Sequence, residues 1–233
     1  MGGLASRLLV WYARGVRKLT FAHGEFYHIY NRGVDKRVIF TSPTEYDRFL
    51  AYLFILNDAK RKRIDRLFDA KRSLWEAKPP APLVAIGAYC LMPNHFHLYL
   101  TPLVEDGVSK FMQRVQTAYT MYFNQKHRRS GALLQGTFKA QHASDDAYAK
   151  YLFSYIHLNP AKLKDAKWKE RNVKDLKKLR EFVRAYPYSS IAEYQSGSPR
   201  ITDPSKFPNY LREQTDVASH IDVWLTRAED WEV

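Results

Sequence analysis

His95 and His97, in the run Tyr89-Cys90-Leu91-Met92-Pro93-Asn94-His95-Phe96-His97-Leu98-Tyr99-Leu100, are the residues of this chain best suited to chemistry. Side chains alternate along an extended segment, so two imidazoles two residues apart share a face while Phe96 points the other way, into a core. Met92-Pro93-Asn94 reads as a tight connection between two apolar strands, which sets the pair at the start of a hairpin's return strand. Two nitrogen ligands on one rigid strand are half of a metal site. Two polar side chains on the exposed face of a strand would read the same way, so the pair needs a third ligand and a purpose.

A helix from Ser144 to Asn159 offers both. Tyr155 and Asn159 are four residues apart and lie on one helical face, one turn from each other. A phenol beside an amide oxygen, brought opposite the histidines, would set a nucleophile next to a three-ligand metal ion. That arrangement suits phosphoryl transfer: the ion polarises a non-bridging phosphate oxygen and the tyrosine oxygen attacks in line. A free phenol has a pKa of roughly 10, so the ion or a basic neighbour must favour its deprotonated form. The plainer alternative for Tyr155 is a half-buried helix tyrosine, and 16 tyrosines compete for the role. Tyr119 and Tyr122 read as packing residues, while Tyr151, one turn before Tyr155, could stack on a base. His142 and His157 could assist proton transfer but read as solvent-facing, and Asn94 reads as a turn residue.

These residues need a scaffold, and the chain supplies the pattern of one. Phe26–Tyr30 alternates aromatic and polar residues as a first strand. Thr41-Ser42-Pro43-Thr44-Glu45 is a helix start, and Phe49, Leu50, Leu53, Phe54 and Leu56 form the buried stripe of that helix. The hairpin follows, then a long helix carrying Val108, Phe111, Met112, Val115, Ala118 and Phe123 and running to about Lys126. Phe138–His142 is a short extended segment, Ser144-Asp145-Asp146 caps the Tyr155 helix, and residues 162–184 are basic and helical in pattern. The order predicts an α+β, ferredoxin-like antiparallel sheet with helices packed on one face. Residues 1–24 read as an N-terminal extension, 25–195 as the catalytic domain with a basic helical insertion at 57–80, and 196–233 as a C-terminal tail.

The charge points to the partner. The 233 residues carry a formal net charge of +13, with a pI near 9.7, which favours a polyanion, first of all nucleic acid. Arg32, Lys36 and Arg37, the run Arg61-Lys62-Arg63, and Arg128-Arg129 are candidate phosphate contacts; each could equally be a solvated surface. No apolar run approaches the roughly 20 residues that span a bilayer, so no membrane partner is expected. The single cysteine, Cys90, excludes an internal disulfide framework and reads as an inert core residue in a cytoplasmic protein.

Leu91-Met92-Pro93-Asn94-His95-Phe96-His97-Leu98, followed by Tyr155-Ile156-His157-Leu158-Asn159-Pro160-Ala161-Lys162, resembles the single-tyrosine HUH transposases of insertion sequences. The resemblance is to the bacterial branch associated with repetitive extragenic palindromes (REP) in particular. Tyr27-His28-Ile29-Tyr30-Asn31-Arg32-Gly33 and Tyr186-Pro187-Tyr188-Ser189-Ser190 extend it over residues 25–195. It implies a nucleoid-associated endonuclease and strand transferase acting on single-stranded DNA with hairpins or palindromic repeats, as a monomer or homodimer. His95 and His97 match the family's metal-binding histidines, Tyr155 its nucleophile, and Asn159 the position of a further metal-holding amide. Tyr155 would then form a 5′-phosphotyrosine, and Mg2+ or Mn2+ is the ion implied, although histidines alone would suit zinc. A catalytically silent DNA- or RNA-hairpin binder on the same fold is the alternative; a small-phosphoester hydrolase fits the charge poorly.

Overall fold

The computed structural model describes residues 19–60, 80–168 and 175–209. Four strands, β1 (Tyr27–Arg32), β2 (Val84–Met92), β3 (His95–Pro102) and β4 (Lys139–His142), form one antiparallel sheet in the order β2-β3-β1-β4. Helix α1 (Pro43–Ile55) connects β1 to β2, and α2 (Gly107–Lys126) connects β3 to β4. This is the ferredoxin-like order, α+β in class, and β4 is the short edge strand that completes it.

One face of the sheet carries Tyr27 and Ile29 from β1 and Phe96, Leu98 and Leu100 from β3. It packs against Phe49 and Leu53 of α1 and Phe111, Val115 and Tyr119 of α2 in one continuous apolar core. The Tyr119 hydroxyl donates to the Ile39 carbonyl at 2.5 Å, which makes Tyr119 a packing residue as its helical spacing predicts. The opposite face is covered too, by α3 (Asp146–Leu158), α4 (Ala161–Lys164), α5 (Leu176–Arg184) and α6 (Ile191–Ser196) around a second core. One-sided packing thus describes the two helices inserted between strands, and the face bearing the histidines has its own lid of helices. Cys90 is buried in that second core, where burial pushes its thiol up.

The outer edge of β2 is closed by the chain that follows α5. Leu91 N–H donates to the Tyr188 carbonyl, Ser190 N–H to the Tyr89 carbonyl, and the Tyr186 hydroxyl to the Leu91 carbonyl. His157, expected at the solvent, is instead fully buried. Its Nδ1 lies 2.9 Å from the Phe153 carbonyl and its Nε2 2.7 Å from the Ser190 hydroxyl, so it bolts α3 to this edge segment. At the root of the basic insertion, Asn57 Oδ1 accepts from the Leu83 and Val84 N–H groups while its Nδ2 donates to the Val84 carbonyl. The insertion itself lies mostly outside the described residues, as do Arg61, Lys62 and Arg63. Among the described residues, no helix is long and apolar enough to cross a membrane.

Glu45, in the first turn of α1, is fully buried. Burial pushes its carboxyl up, but hydrogen bonds from Lys126, the Thr41 backbone, His127 and the Thr41 hydroxyl together pull it down from 4.5 to about 2. A depressed folded pKa contributes stability that is present above the unfolded value and lost as the pH falls through the folded one. Urea melts should therefore show Glu45→Gln destabilised by about 1–3 kcal/mol at pH 7, the cost of unpaired buried donors, with the gap to wild type closing between pH 4.5 and 2. A gap that does not change with pH would assign the loss to packing.

Candidate active site

The site grows from the period-2 alternation of the four neighbouring strands. Across the sheet, Met92, His95 and Arg32 form one row; Cys90, His97, Tyr30 and Lys139 form the next; Ala88, Tyr99, His28 and Gln141 form the third. His95 and His97 therefore share a face, as their spacing predicts, and Phe96 enters the opposite core. The connection Pro93-Asn94 is clamped from behind: Ile39 and Phe40 N–H groups donate to the Pro93 carbonyl, and Gly33 N–H to the Asn94 carbonyl. A hairpin held this tightly keeps the imidazoles at fixed positions.

Helix α3 then brings the second half of the site over the first. Its N-terminus is capped by Asp145, whose carboxylate accepts from Tyr148 N–H at 2.8 Å, and its packing on β2 and β3 sets the Tyr155 ring 5.5 Å from that of His97, edge-on at 84°. Asn159 ends the helix and is buried. Its Nδ2 donates to the Tyr155 carbonyl at 2.8 Å, a last-turn carbonyl the helix leaves without an intrahelical partner. Tyr155, Tyr151 and Tyr148 form a stacked series along the helix, with neighbouring centroids 5.9 Å apart. Burial raises the Tyr155 phenol above its ordinary value while a hydrogen bond to Asn159 opposes the rise; burial, with neighbouring Tyr155 and Tyr148, pushes Tyr151 up to about 12.

The donor atoms fit a divalent cation. His97 Nε2 and Asn159 Oδ1 are both buried without a hydrogen-bond partner. His95 Nδ1 lies 2.6 Å from the Asn94 side-chain oxygen, whose amide nitrogen is spent on the Lys36 carbonyl, so Nδ1 carries the proton and Nε2 the lone pair. Burial lowers His95 to about 4, with Arg32 and Lys162 adding to the effect. Burial also takes His97 well below its usual value, helped by His28, His95, Lys162 and Arg32. Both imidazoles are neutral at pH 7 and able to ligate. Among the described residues, no group of three or more His, Cys, Asp or Glu side chains could hold a metal ion; the Asn159 amide oxygen is the further oxygen donor on this helix.

The expected phosphate contacts divide. Arg32 is exposed at the end of β1, on the histidine face and directly across from His95. Lys36 and Arg37 are exposed in the turn behind the hairpin, Lys36 with a left-handed φ of 59°. Arg128 is exposed beyond the end of α2, a helix on the other face of the sheet. Arg129 is not a free contact: it holds the Asn124 side chain, donates to the Ala132 carbonyl and sits over the Phe123 ring, closing its own loop. His142 is partly exposed and paired with Glu25 at 2.6 Å, at the sheet edge. Three residues near the histidines were given no role of their own in the sequence. Lys139 stands in the His97 row, Lys162 bears on both histidines, and His28 is buried with its Nε2 2.8 Å from His97 Nδ1. The strand alternation that pairs His95 with His97 also puts His28, Tyr30 and Arg32 on one face, which was the available signal.

Comparison with known proteins gives two matches. Residues 61–159 match the family model described as "Transposase IS200 like". A solved structure described as that of "the REP associates tyrosine transposase bound to a REP hairpin" aligns with a TM-score of 0.49 at 13% identity, covering 81% of this chain and 90% of that one. No curated protein matches the chain. The family match spans His95, His97, Tyr155 and Asn159, and it is to the IS200-like transposases that the chain is similar across this segment.

Proposed function

We propose that this protein is a metal-dependent transposase that nicks and rejoins single-stranded, hairpin-containing DNA through Tyr155. The observation that carries the reading is one juxtaposition. A tyrosine lies 5.5 Å from a histidine whose Nε2 is buried and unpartnered, with an equally unpartnered amide oxygen one helical turn away. Leaving each of these atoms unpartnered costs on the order of 1–3 kcal/mol, a cost that a bound cation would offset at both. His95, His97 and Asn159 would hold Mg2+ or Mn2+, which would supply charge stabilisation at the scissile phosphate.

The chain's own residues do the rest. The Tyr155 hydroxyl gives up its proton and its oxygen attacks phosphorus. The bond from phosphorus to the 3′ oxygen breaks, and that oxygen takes a proton. The products are a 5′-phosphotyrosine and a free 3′-hydroxyl, and attack by a 3′-hydroxyl reverses the step without an external energy source. Arg32 and Lys162, cations at the histidine rim, are suited to the phosphate, and Lys36, Arg37 and Lys139 to the flanking backbone. Tyr151 and Tyr148 offer ring faces on which unpaired bases can stack.

The test is incubation of the full chain with end-labelled single-stranded hairpin oligonucleotides and Mg2+ or Mn2+ in excess over protein. The expected result is a denaturant-stable adduct of the protein with the fragment on the 3′ side of the nick, joined through its 5′ phosphate, and a free 3′-hydroxyl on the other fragment, both absent with EDTA. Tight hairpin binding without an adduct across a panel of palindromic substrates would overturn the reading in favour of a silent hairpin binder.

A further inference from the structure

His28 and His97 are diagonal neighbours on β1 and β3, and their rings stack at 5.0 Å with 20° between planes. The contact between His28 Nε2 and His97 Nδ1, 2.8 Å, is a hydrogen bond between two neutral imidazoles, so one proton lies between them. If His28 Nε2 carried it, His97 Nδ1 would be the acceptor, and the proton of His97 would sit on Nε2. That nitrogen is buried and has no partner, so the arrangement would strand an N–H donor in a dry site. If His97 Nδ1 carries the proton, Nε2 holds a bare lone pair, turned toward the same face as His95. The two histidines then match, since Asn94 fixes His95 in the same tautomer.

We propose that His28 is a positioning residue: it accepts the Nδ1 proton of His97 and so locks His97 in the tautomer and ring orientation whose Nε2 can bind a divalent cation. The inference rests on the reading of His95, His97 and Asn159 as ligands. In this arrangement His28 is not itself a ligand, because its Nε2 accepts from His97 and its Nδ1 then carries the proton. Burial and stacking fix the acceptor: His28 is 6% exposed, with Tyr30 packed against its ring at 4.8 Å. Outer partners of this kind orient ligating imidazoles and raise metal affinity about 10–100-fold.

Two measurements test this. Long-range 1H–15N correlation on histidine-labelled, metal-free protein at pH 7.5 reads the tautomer of His97 directly. Nδ1–H is expected, and Nε2–H as the major form would overturn the proposal. Titration with Mn2+ then compares His28→Gln, whose amide oxygen can still accept, with His28→Leu, which cannot. Gln should stay within about threefold of wild type and Leu should lose about 10–100-fold, both folded by circular dichroism. Equal affinities for wild type and both variants would also overturn it. Should the wild type bind no Mn2+ at all, the metal reading fails; the positioning role is then judged on the tautomer alone, and an unchanged His97 tautomer in His28→Leu sinks it.

Discussion

Tyr155→Phe removes one oxygen atom and should abolish the covalent DNA adduct and the nick together, a loss of at least about a thousandfold, or 4 kcal/mol in the barrier. With Tyr155 as the nucleophile, no other tyrosine among the described residues near His97 is expected to take over at comparable rate. Tyr151 and Tyr148 sit one and two turns back along α3, with Tyr151 stacked on Tyr155 itself. Tyr30 is the real competitor, since its ring centroid is 5.9 Å from that of His97. It lies beside His97 in the sheet rather than above it, and it lacks the neighbouring Asn159. Tyr30→Phe, Tyr148→Phe and Tyr151→Phe should all form the adduct. The fold should tolerate the Tyr155 change: one hydrogen bond is worth about 1 kcal/mol, a shift of roughly 2–4 °C in Tm for a chain of this size. Hairpin affinity, measured by fluorescence anisotropy, should change less than about threefold, because the cations proposed to meet the phosphates remain. An adduct that persists in Tyr155→Phe and vanishes in Tyr30→Phe would move the nucleophile to the strand.

The parts of this site that were legible in the sequence are those set by local geometry. Alternation along β3 put His95 and His97 on one face, one helical turn linked Tyr155 to Asn159, and Asp145 announced the start of their helix. Features that depend on the register between distant segments were not legible. His28 meets His97 across 69 residues, Glu45 meets His127 across 82, and His157 meets Ser190 across 33. Each is a polar residue whose burial makes sense only once its partner is known, so local reading sent His157 to the surface and passed over the other two. Arg129 is a further case: its contacts to the Ala132 carbonyl and the Phe123 ring, which hold its own loop, depend on the turn that follows α2 and are not visible in its charge. Strand β4 showed in the sequence only as a short extended segment, because four residues of alternating exposure carry little hydrophobic signal, and its pairing with β1 is what defines it as the edge strand.

The same separation of local from long-range effects makes the histidine pair a sharp test. His95→Ala and His97→Ala should each reduce adduct formation at least about a thousandfold and weaken Mn2+ binding, read by electron paramagnetic resonance, beyond the range reached by wild type. Hairpin affinity should stay within about threefold, since Arg32, Lys36, Arg37 and Lys162 are untouched. The two variants differ in what they leave behind. His95→Ala frees Asn94 at the rim, where water can replace the lost partner, and its Tm should be close to that of wild type. His97→Ala opens a buried space and strips His28 of its partner, so it should cost about 1–3 kcal/mol of stability as well. A ligand role therefore predicts equal catalytic loss with unequal stability loss. A purely structural role predicts the reverse ordering: activity and hairpin binding falling together, in proportion to the drop in Tm, and His95→Ala nearly silent in every assay.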